Sequence, residues 1–127
     1  MQISDAEWTV MNLVWDTQPV DARSVVEALA DENGWSAATI KTMLHRLVKK
    51  GALSHHQDGK RYQYRASVRR CDCVRRASRS FIDRVFQGET APALLHLVKG
   101  AKLSSDEVDQ LRALLDNKDQ GNDRSDL

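Results

Sequence analysis

Hydroxyl and cationic side chains between Gly34 and Arg65 have the types and the spacing to bind a nucleic acid. Lysine and arginine neutralise phosphates, and lysine and threonine can also hydrogen-bond to base edges in the major groove. Residues 41–65 hold seven cations and one acid, whereas residues 1–40 hold one cation and seven acids, so a formal net charge of +1 conceals a basic segment. The candidate DNA contacts are Thr39, Lys41, Thr42, His45, Arg46, Lys49, Lys60 and Arg61.

A helix and a hairpin must position these contacts. Ser36 can cap the helix, and Gly51 can end it in a left-handed conformation just after two lysines. Asp58-Gly59 between two short extended runs is a strong hairpin signal, because glycine adopts the positive φ of tight turns. Apolar residues at helical spacing predict the buried face of the helix; they are Ile40, Met43, Leu44, Leu47 and Val48.

Two further helices precede this segment. Ser4 and Glu7 have the spacing of a capping box, and Gln18-Pro19 ends the first helix. Asp21 caps the second, which stops at Asn33-Gly34. Three helices followed by a basic hairpin have the order of a winged helix-turn-helix, in which the third helix suits the major groove and the hairpin tip suits phosphates. The three tryptophans, Trp8, Trp15 and Trp35, are interpreted as core packing rather than as a stacking surface for bases.

The second half of the chain predicts only helices. Three amphipathic segments are separated by Gly88 and Gly100, and no predicted sheet is available to cover their apolar stripe. The fold class is therefore mainly α with a small β-hairpin: a winged-helix domain at 1–66, a helical dimerisation domain at 67–117 and a disordered tail at 118–127. A second copy is expected to bury the stripe. Its candidate residues are Phe81, Val85, Leu94, Leu97, Val98, Leu111, Leu114 and Leu115.

Four stretches resemble a known family. They are I-S-x-A-E-W-x-V-M from Ile3, W-S-x-x-T-I-x-T-M-L-x-R-L-x-K-K-G from Trp35, the hairpin end Tyr62-Gln63-Tyr64, and L-S-x-D-E-x-x-x-L from Leu103. Together they resemble the penicillinase and methicillin-resistance repressors, of the BlaI/MecI/CopY type, from about Ile3 to Lys118.

The resemblance implies a homodimeric bacterial transcriptional repressor that blocks transcription from a palindromic operator until an unidentified signal releases it. It implies base contacts from Thr39, Lys41 and Thr42, with Arg46 on or near phosphates. Lys60 and Arg61 would belong to the wing. It also implies an upstream sensor protease as a possible partner.

This sequence departs from the family pattern in two places. Antibiotic-responsive members are cleaved at an Asn-Phe bond, but the matching pair here is His96-Leu97, which puts cleavage as the induction step in doubt. Copper-responsive members carry paired CxC motifs near the C-terminus, but this chain has one, Cys71-Asp72-Cys73, much earlier.

The two cysteines admit three interpretations. Thiolates suit Cu(I) or zinc, and two copies would bring four sulfurs together. Residues two apart on a helix point about 200° apart, however, which opposes chelation of one ion. The preferred interpretation is a small core residue at Cys71 and an incidental surface residue at Cys73, with no cofactor. A thiol-oxidation switch is the third, because nearby arginines would lower a cysteine pKa.

Other classes of protein find less support in the sequence. It contains no zinc-protease motif, P-loop, glycine-rich nucleotide fingerprint or serine elbow, which argues against an enzyme. The alternative is a winged helix that contacts only other proteins, but such a module needs no basic wing beside a basic helix. No run reaches the roughly 18 apolar residues of a membrane span. A cytoplasmic location without membrane insertion is therefore expected.

Lys41 and Arg61 should contribute to DNA binding in different ways. Lys41→Ala is expected to relax base preference, because a lysine in the major groove can donate to guanine O6 or N7. Arg61→Ala is expected to weaken binding evenly across sequences and to lower its dependence on salt, because a phosphate contact carries no sequence information. Titrations of operator and random duplexes measure both effects. Equal losses on the two duplexes for both variants would contradict this division.

Overall fold

Six α-helices and three short strands make up residues 1–120, the part of the chain that the computed structural model describes. The chain divides into two compact units, Met1–Arg79 and a second that begins at Ser80. The elements are α1 (Asp5–Thr17), β1 (Val20–Asp21), α2 (Ala22–Asn33), α3 (Ala37–Lys50), β2 (Leu53–Asp58), β3 (Arg61–Ala66), α4 (Arg70–Val85), α5 (Thr90–Gly100) and α6 (Ser105–Asp119).

The predicted caps set the helix ends of the first unit. Ser4 caps α1, and its hydroxyl and the Glu7 carboxylate form the reciprocal bonds of a capping box. Asp21 caps α2 and Ser36 caps α3, each by accepting a hydrogen bond from a backbone N–H of the first turn. Gly51 follows α3 with a φ of 86°, a left-handed conformation that glycine adopts without steric cost. The three N-terminal caps and the glycine stop are confirmed.

A three-stranded antiparallel sheet, in the order β1-β3-β2, forms the wing. The hairpin pairs Leu53 with Ala66 at one end and Asp58 with Arg61 at the other, so Gly59 and Lys60 make the turn. Gly59 is the first turn residue and has a φ of 66°, which is the position that a type II′ turn gives to glycine. The hairpin is confirmed, but β1 was not predicted, because two residues carry no detectable alternation.

The core of the first unit lies between its three helices and the base of the hairpin. It consists of Val10, Met11, Val14, Val20, Val25, Leu29, Ile40, Met43, Leu44, Leu47, Ala52 and Leu53. Trp15 and Trp35 are partly buried against it, and the Trp8 ring packs on Trp15 with ring centroids 5.8 Å apart. The tryptophans therefore serve packing, as the sequence indicated.

The first unit extends beyond residue 66, the end of the predicted DNA-binding domain. The indole N–H of Trp15 donates to the carbonyl of Val68 over 3.1 Å. Arg70, the first residue of α4, donates to the Asp16 carboxylate over 2.8 Å and lies over the Trp15 ring. These contacts attach the start of α4 to the end of α1, so the division between the units falls within α4.

The second unit contains the rest of α4 and the helices α5 and α6. Ala93 is its one buried residue among residues 80–120. Helix α6 reaches Asp119, so Lys118 and Asp119 are helical and do not belong to a disordered tail as predicted; residues 121–127 lie outside the described part of the chain. None of the helices within residues 1–120 combines the length and the hydropathy that a membrane span requires.

A buried carboxylate ties the start of α1 to the end of α3. The Glu7 side chain is only 2% exposed, and its Oε1 accepts from Lys50 Nζ over 2.5 Å and from the backbone N–H of Ser4 over 2.9 Å. Lys50 Nζ also donates to the carbonyl of Gln2 over 2.7 Å. Burial alone would raise the pKa of Glu7, but the hydrogen bonds from Lys50 and Ser4 outweigh it and lower the pKa.

Glu7→Gln should destabilise the first unit without removing the shape of the capping box. The expected loss in unfolding free energy at pH 7 is about 1–2 kcal/mol. This is the contribution of a charged hydrogen bond, reduced because Lys50 is partly exposed. Since the folded pKa of Glu7 is lowered, its stabilisation is complete above the unfolded value of about 4.3 and is lost as pH falls through the folded value. Urea unfolding between pH 3 and 7 measures this.

The matched control is Glu32→Gln, at an exposed carboxylate on α2. Wild type and this control should lose stability from about pH 5 downwards, whereas Glu7→Gln should lose less over the same range. Parallel pH profiles for all three chains would contradict a role for the Glu7 charge.

Candidate nucleic-acid interface

Helix α3 has one buried and one exposed face, with Val48 partly buried between them. Ile40, Met43, Leu44 and Leu47 are between 0% and 5% exposed, so one face is fixed against the core. The opposite face is open to solvent. All six candidate contacts on the helix are exposed: Thr39, Lys41, Thr42, His45, Arg46 and Lys49. They alternate with the buried residues at the period of the helix, so burial of one face determines the orientation of the other.

The hydroxyls at the start of α3 are already engaged within the helix. Ser36 Oγ accepts from the backbone N–H of Thr39 over 3.1 Å and lies 3.0 Å from Thr39 Oγ1. Thr42 Oγ1 donates to the carbonyl of Ala38 over 2.9 Å. Because a hydroxyl has one proton, Thr42 offers a partner an acceptor oxygen and a methyl group rather than a donor. A thymine methyl is a suitable partner for that methyl group.

A groove of about 690 Å³ lies between the start of α2, the exposed face of α3 and the wing. Four of the candidate contacts line it: Lys41, His45, Lys60 and Arg61. Arg23 also lines it and was missed as a candidate, although it is the one cation of residues 1–40 and follows the Asp21 cap. Thr39, Thr42, Arg46 and Lys49 are not among its lining residues; they continue the exposed face of α3.

The two cations of the wing differ in their surroundings. Lys60 is exposed in the hairpin turn. Arg61 Nη1 lies 3.3 Å from Asp21 Oδ2, so its charge is partly balanced by the residue that caps α2. The hydrogen bonds from the backbone and hydroxyl of Ser24 hold the pKa of Asp21 below its ordinary value, and the charges of Arg61 and Arg23 add to this.

One face of the hairpin is aromatic. The His55 ring lies 4.9 Å from Tyr62 and 5.7 Å from Tyr64, measured between centroids. Tyr64 is partly buried against the core, and this burial raises the pKa of its hydroxyl. Tyr62 and Tyr64 thus share a strand face, as alternation predicted. The Tyr62 and Tyr64 side chains also line the groove.

The cysteines lie in the first turn of α4. Cys71 is exposed and Cys73 is partly buried, which reverses the predicted assignment of core and surface residues. Burial raises the pKa of the Cys73 thiol, and the charge of Arg76 only partly opposes it. The expectation of a lowered cysteine pKa is therefore wrong for Cys73, because desolvation outweighs the arginine. Within residues 1–120, no group of three or more His, Cys, Asp or Glu residues could hold a metal ion.

An exposed basic helix beside a basic hairpin, on a three-helix core, defines a winged-helix DNA-binding protein. Residues 3–117 match the penicillinase repressor family, so the chain belongs to that family. Its members are transcriptional repressors rather than enzymes.

Two relatives are similar over most of the chain. The methicillin resistance regulatory protein MecI of Staphylococcus aureus is 36% identical over 117 residues, which cover 92% of this chain and 95% of MecI. The penicillinase repressor of Bacillus licheniformis is 36% identical over 115 residues, which cover 91% of this chain and 90% of that protein.

A solved structure extends the comparison to DNA. Part of this chain resembles the monomeric form of Bacillus licheniformis BlaI in complex with the blaP half-operator. The two chains are 42% identical with a TM-score of 0.51, over 57% of this chain and 88% of that one.

Cys73 should react more slowly than a free thiol. A raised pKa leaves less thiolate at neutral pH, so alkylation by iodoacetamide at pH 7.5 should be slower than that of free cysteine by about twofold or more. Measuring the rate in Cys71→Ser isolates Cys73, and the same chain unfolded in urea is the control, in which the rate should rise to that of free cysteine. Alkylation of folded Cys73 faster than that of free cysteine would contradict this and restore the oxidation hypothesis.

Proposed function

We propose that this chain represses transcription by binding a two-fold symmetric operator as a homodimer. The observation that carries the proposal is the separation of faces on α3. The apolar face is buried and the polar face, with the basic wing beside it, is exposed to solvent. The half-operator complex of the related BlaI supports DNA as that ligand.

The proposed contacts follow from position and chemistry. Lys41 lies where α3 and the wing flank the groove, and we assign it to a base edge. Thr39 and Thr42 lie near the N-terminus of the helix, the end that enters the major groove in helix-turn-helix proteins. Phosphates would be contacted by the remaining cations and by His45; the cations are Arg46, Lys49, Lys60 and Arg61.

The second unit supports the proposed dimer. All eight candidate interface residues are exposed, from 38% for Phe81 and Leu111 to 60% for Leu115. Leu95 and Leu103 are further exposed apolar residues in this unit. Each large apolar side chain that is buried contributes about 1.5–3 kcal/mol, so a second copy that covers this surface would be strongly favoured. A two-fold axis would then present two recognition helices to two half-sites.

We propose that an upstream sensor protease, the partner that the family suggests, triggers release of the repressor. The repressor itself would bind its operator in the bacterial cytoplasm. Antibiotic-responsive members are cleaved at the position of the His96-Leu97 bond, which lies in α5. The His96 ring packs against the Phe86 ring, with centroids 6.0 Å apart. Because this pair differs from Asn-Phe, release of the repressor without cleavage is the alternative.

Charging the apolar surface of α6 should separate the dimer and weaken operator binding. Leu114→Glu introduces a charge at a half-exposed apolar position, and Arg112→Gln makes the same change in net charge on the opposite side of the helix. Sedimentation should show monomers for Leu114→Glu only. Its operator affinity should fall at least about tenfold, because two half-sites no longer act together.

Wild-type protein that sediments as a monomer at micromolar concentration would contradict the dimer. Leu114→Glu that is monomeric yet binds the operator as tightly as wild type would contradict the need for one.

A further inference from the structure

We infer that Asp21 limits the affinity of this protein for DNA, because its carboxylate competes with a DNA phosphate for the guanidinium of Arg61. The inference rests on the proposed function, since it concerns the wing of the same DNA-binding surface. It assigns Asp21 a second role besides capping α2: by pairing with Arg61, Asp21 weakens the contact of Arg61 with a phosphate.

The sheet register brings the two side chains together. Asp21 lies on β1 opposite Gln63 of β3, and Arg61 is two residues before Gln63 on the same strand. A diagonal cross-strand neighbour is within reach of a long side chain. Arg61 Nη1 accordingly lies 3.3 Å from Asp21 Oδ2, while Asp21 Oδ1 accepts from the backbone N–H of Ser24 over 2.8 Å. The two oxygens of one carboxylate thus serve two partners.

The partners are unequally exposed. The Asp21 side chain is 11% exposed and the Arg61 side chain 67% exposed. The carboxylate is held by β1 and by the start of α2, whereas the guanidinium can rotate away into solvent. A phosphate that approaches the wing therefore meets a guanidinium whose charge Asp21 already partly balances, and the negative charge of Asp21 stays where it was.

The surroundings make an acid here unusual. Asp21 is the one acid among the residues that line the groove, which also include Arg23, Lys41 and Lys60. A negative charge is not needed to cap the helix, because Ser4 and Ser36 cap α1 and α3 in the same unit. Serine and aspartate are about equally good caps. The cap of α2 therefore needs the side-chain hydrogen bond of Asp21 but not its negative charge.

The charge also has a definite consequence for binding. When Arg61 moves from Asp21 to a phosphate, one ion pair replaces another, and the net gain is small. Without the carboxylate the guanidinium would be free in the unbound protein. DNA binding would then be tighter by up to about one exposed ion pair, and its dependence on salt would be steeper by less than the slope of about 0.9 for a full phosphate contact, because Asp21 balances Arg61 only in part.

The test uses the full chain and a double-mutant cycle of Asp21→Ser and Arg61→Ala. Asp21→Ser keeps a side-chain cap and removes the charge. Asp31→Ser is the control, because it makes the same change in net charge at an exposed position of α2 outside the groove. Affinities are measured over a series of salt concentrations for a random-sequence duplex and for the DNA upstream of the gene that encodes this chain. Thermal unfolding checks that the substitutions leave the helix caps intact.

We expect Asp21→Ser to bind both duplexes about two- to fivefold more tightly, with a steeper salt slope, and Asp31→Ser to match wild type. The gain should shrink in the Arg61→Ala background. An Asp21→Ser chain that binds no more tightly than wild type would overturn the inference. So would a gain of equal size without Arg61, because it would come from direct repulsion between Asp21 and phosphate.

Failure of the proposed function gives a different result. In that case wild type itself would show no preference for the upstream region over the random duplex. The effect of Asp21→Ser on the random duplex would still decide the inference about Arg61.

Discussion

Burial of one face of α3 is the constraint on which the rest of this structure depends. Ile40, Leu44 and Leu47 are fully buried at helical spacing, so the helix cannot rotate about its own axis without exposing them. Each residue of a helix is turned about 100° from the one before it. A shift of the apolar pattern by one position would therefore carry Lys41 and its neighbours away from the open face. The core thus sets the orientation of the candidate contacts.

The same constraint places the wing. Gly51 ends α3, and the backbone N–H of Ala52 donates to the carbonyl of Leu47 over 2.9 Å, so the chain reverses at once into the hairpin. The last residue of the helix, Lys50, is held by the buried carboxylate of Glu7 at the start of α1. Helix and hairpin therefore leave a common point that is fixed on the core. Packing therefore sets their separation across the groove.

Local signals made much of this predictable. Ser4, Ser36 and Gly51 act through neighbours three or four residues away, so their spacing alone announced the helix ends. The contacts that were missed join distant parts of the chain. Strand β1 exists because Val20 and Asp21 pair with β3, and the ion pair between Asp21 and Arg61 follows from that pairing. The thiol of Cys73 was misjudged for a related reason: arginines are visible in a sequence, but the burial that outweighs them is not.

The central claim is that two copies of the chain bind operator DNA through the exposed face of α3 and the wing. Hydroxyl-radical footprinting of the DNA upstream of the encoding gene, with the wild-type chain, tests this claim most directly. We expect two protected segments related by a two-fold axis, on one side of the duplex, with centres about 10 base pairs or a multiple apart. No protection beyond that of random DNA, under conditions in which the protein is folded, would contradict it.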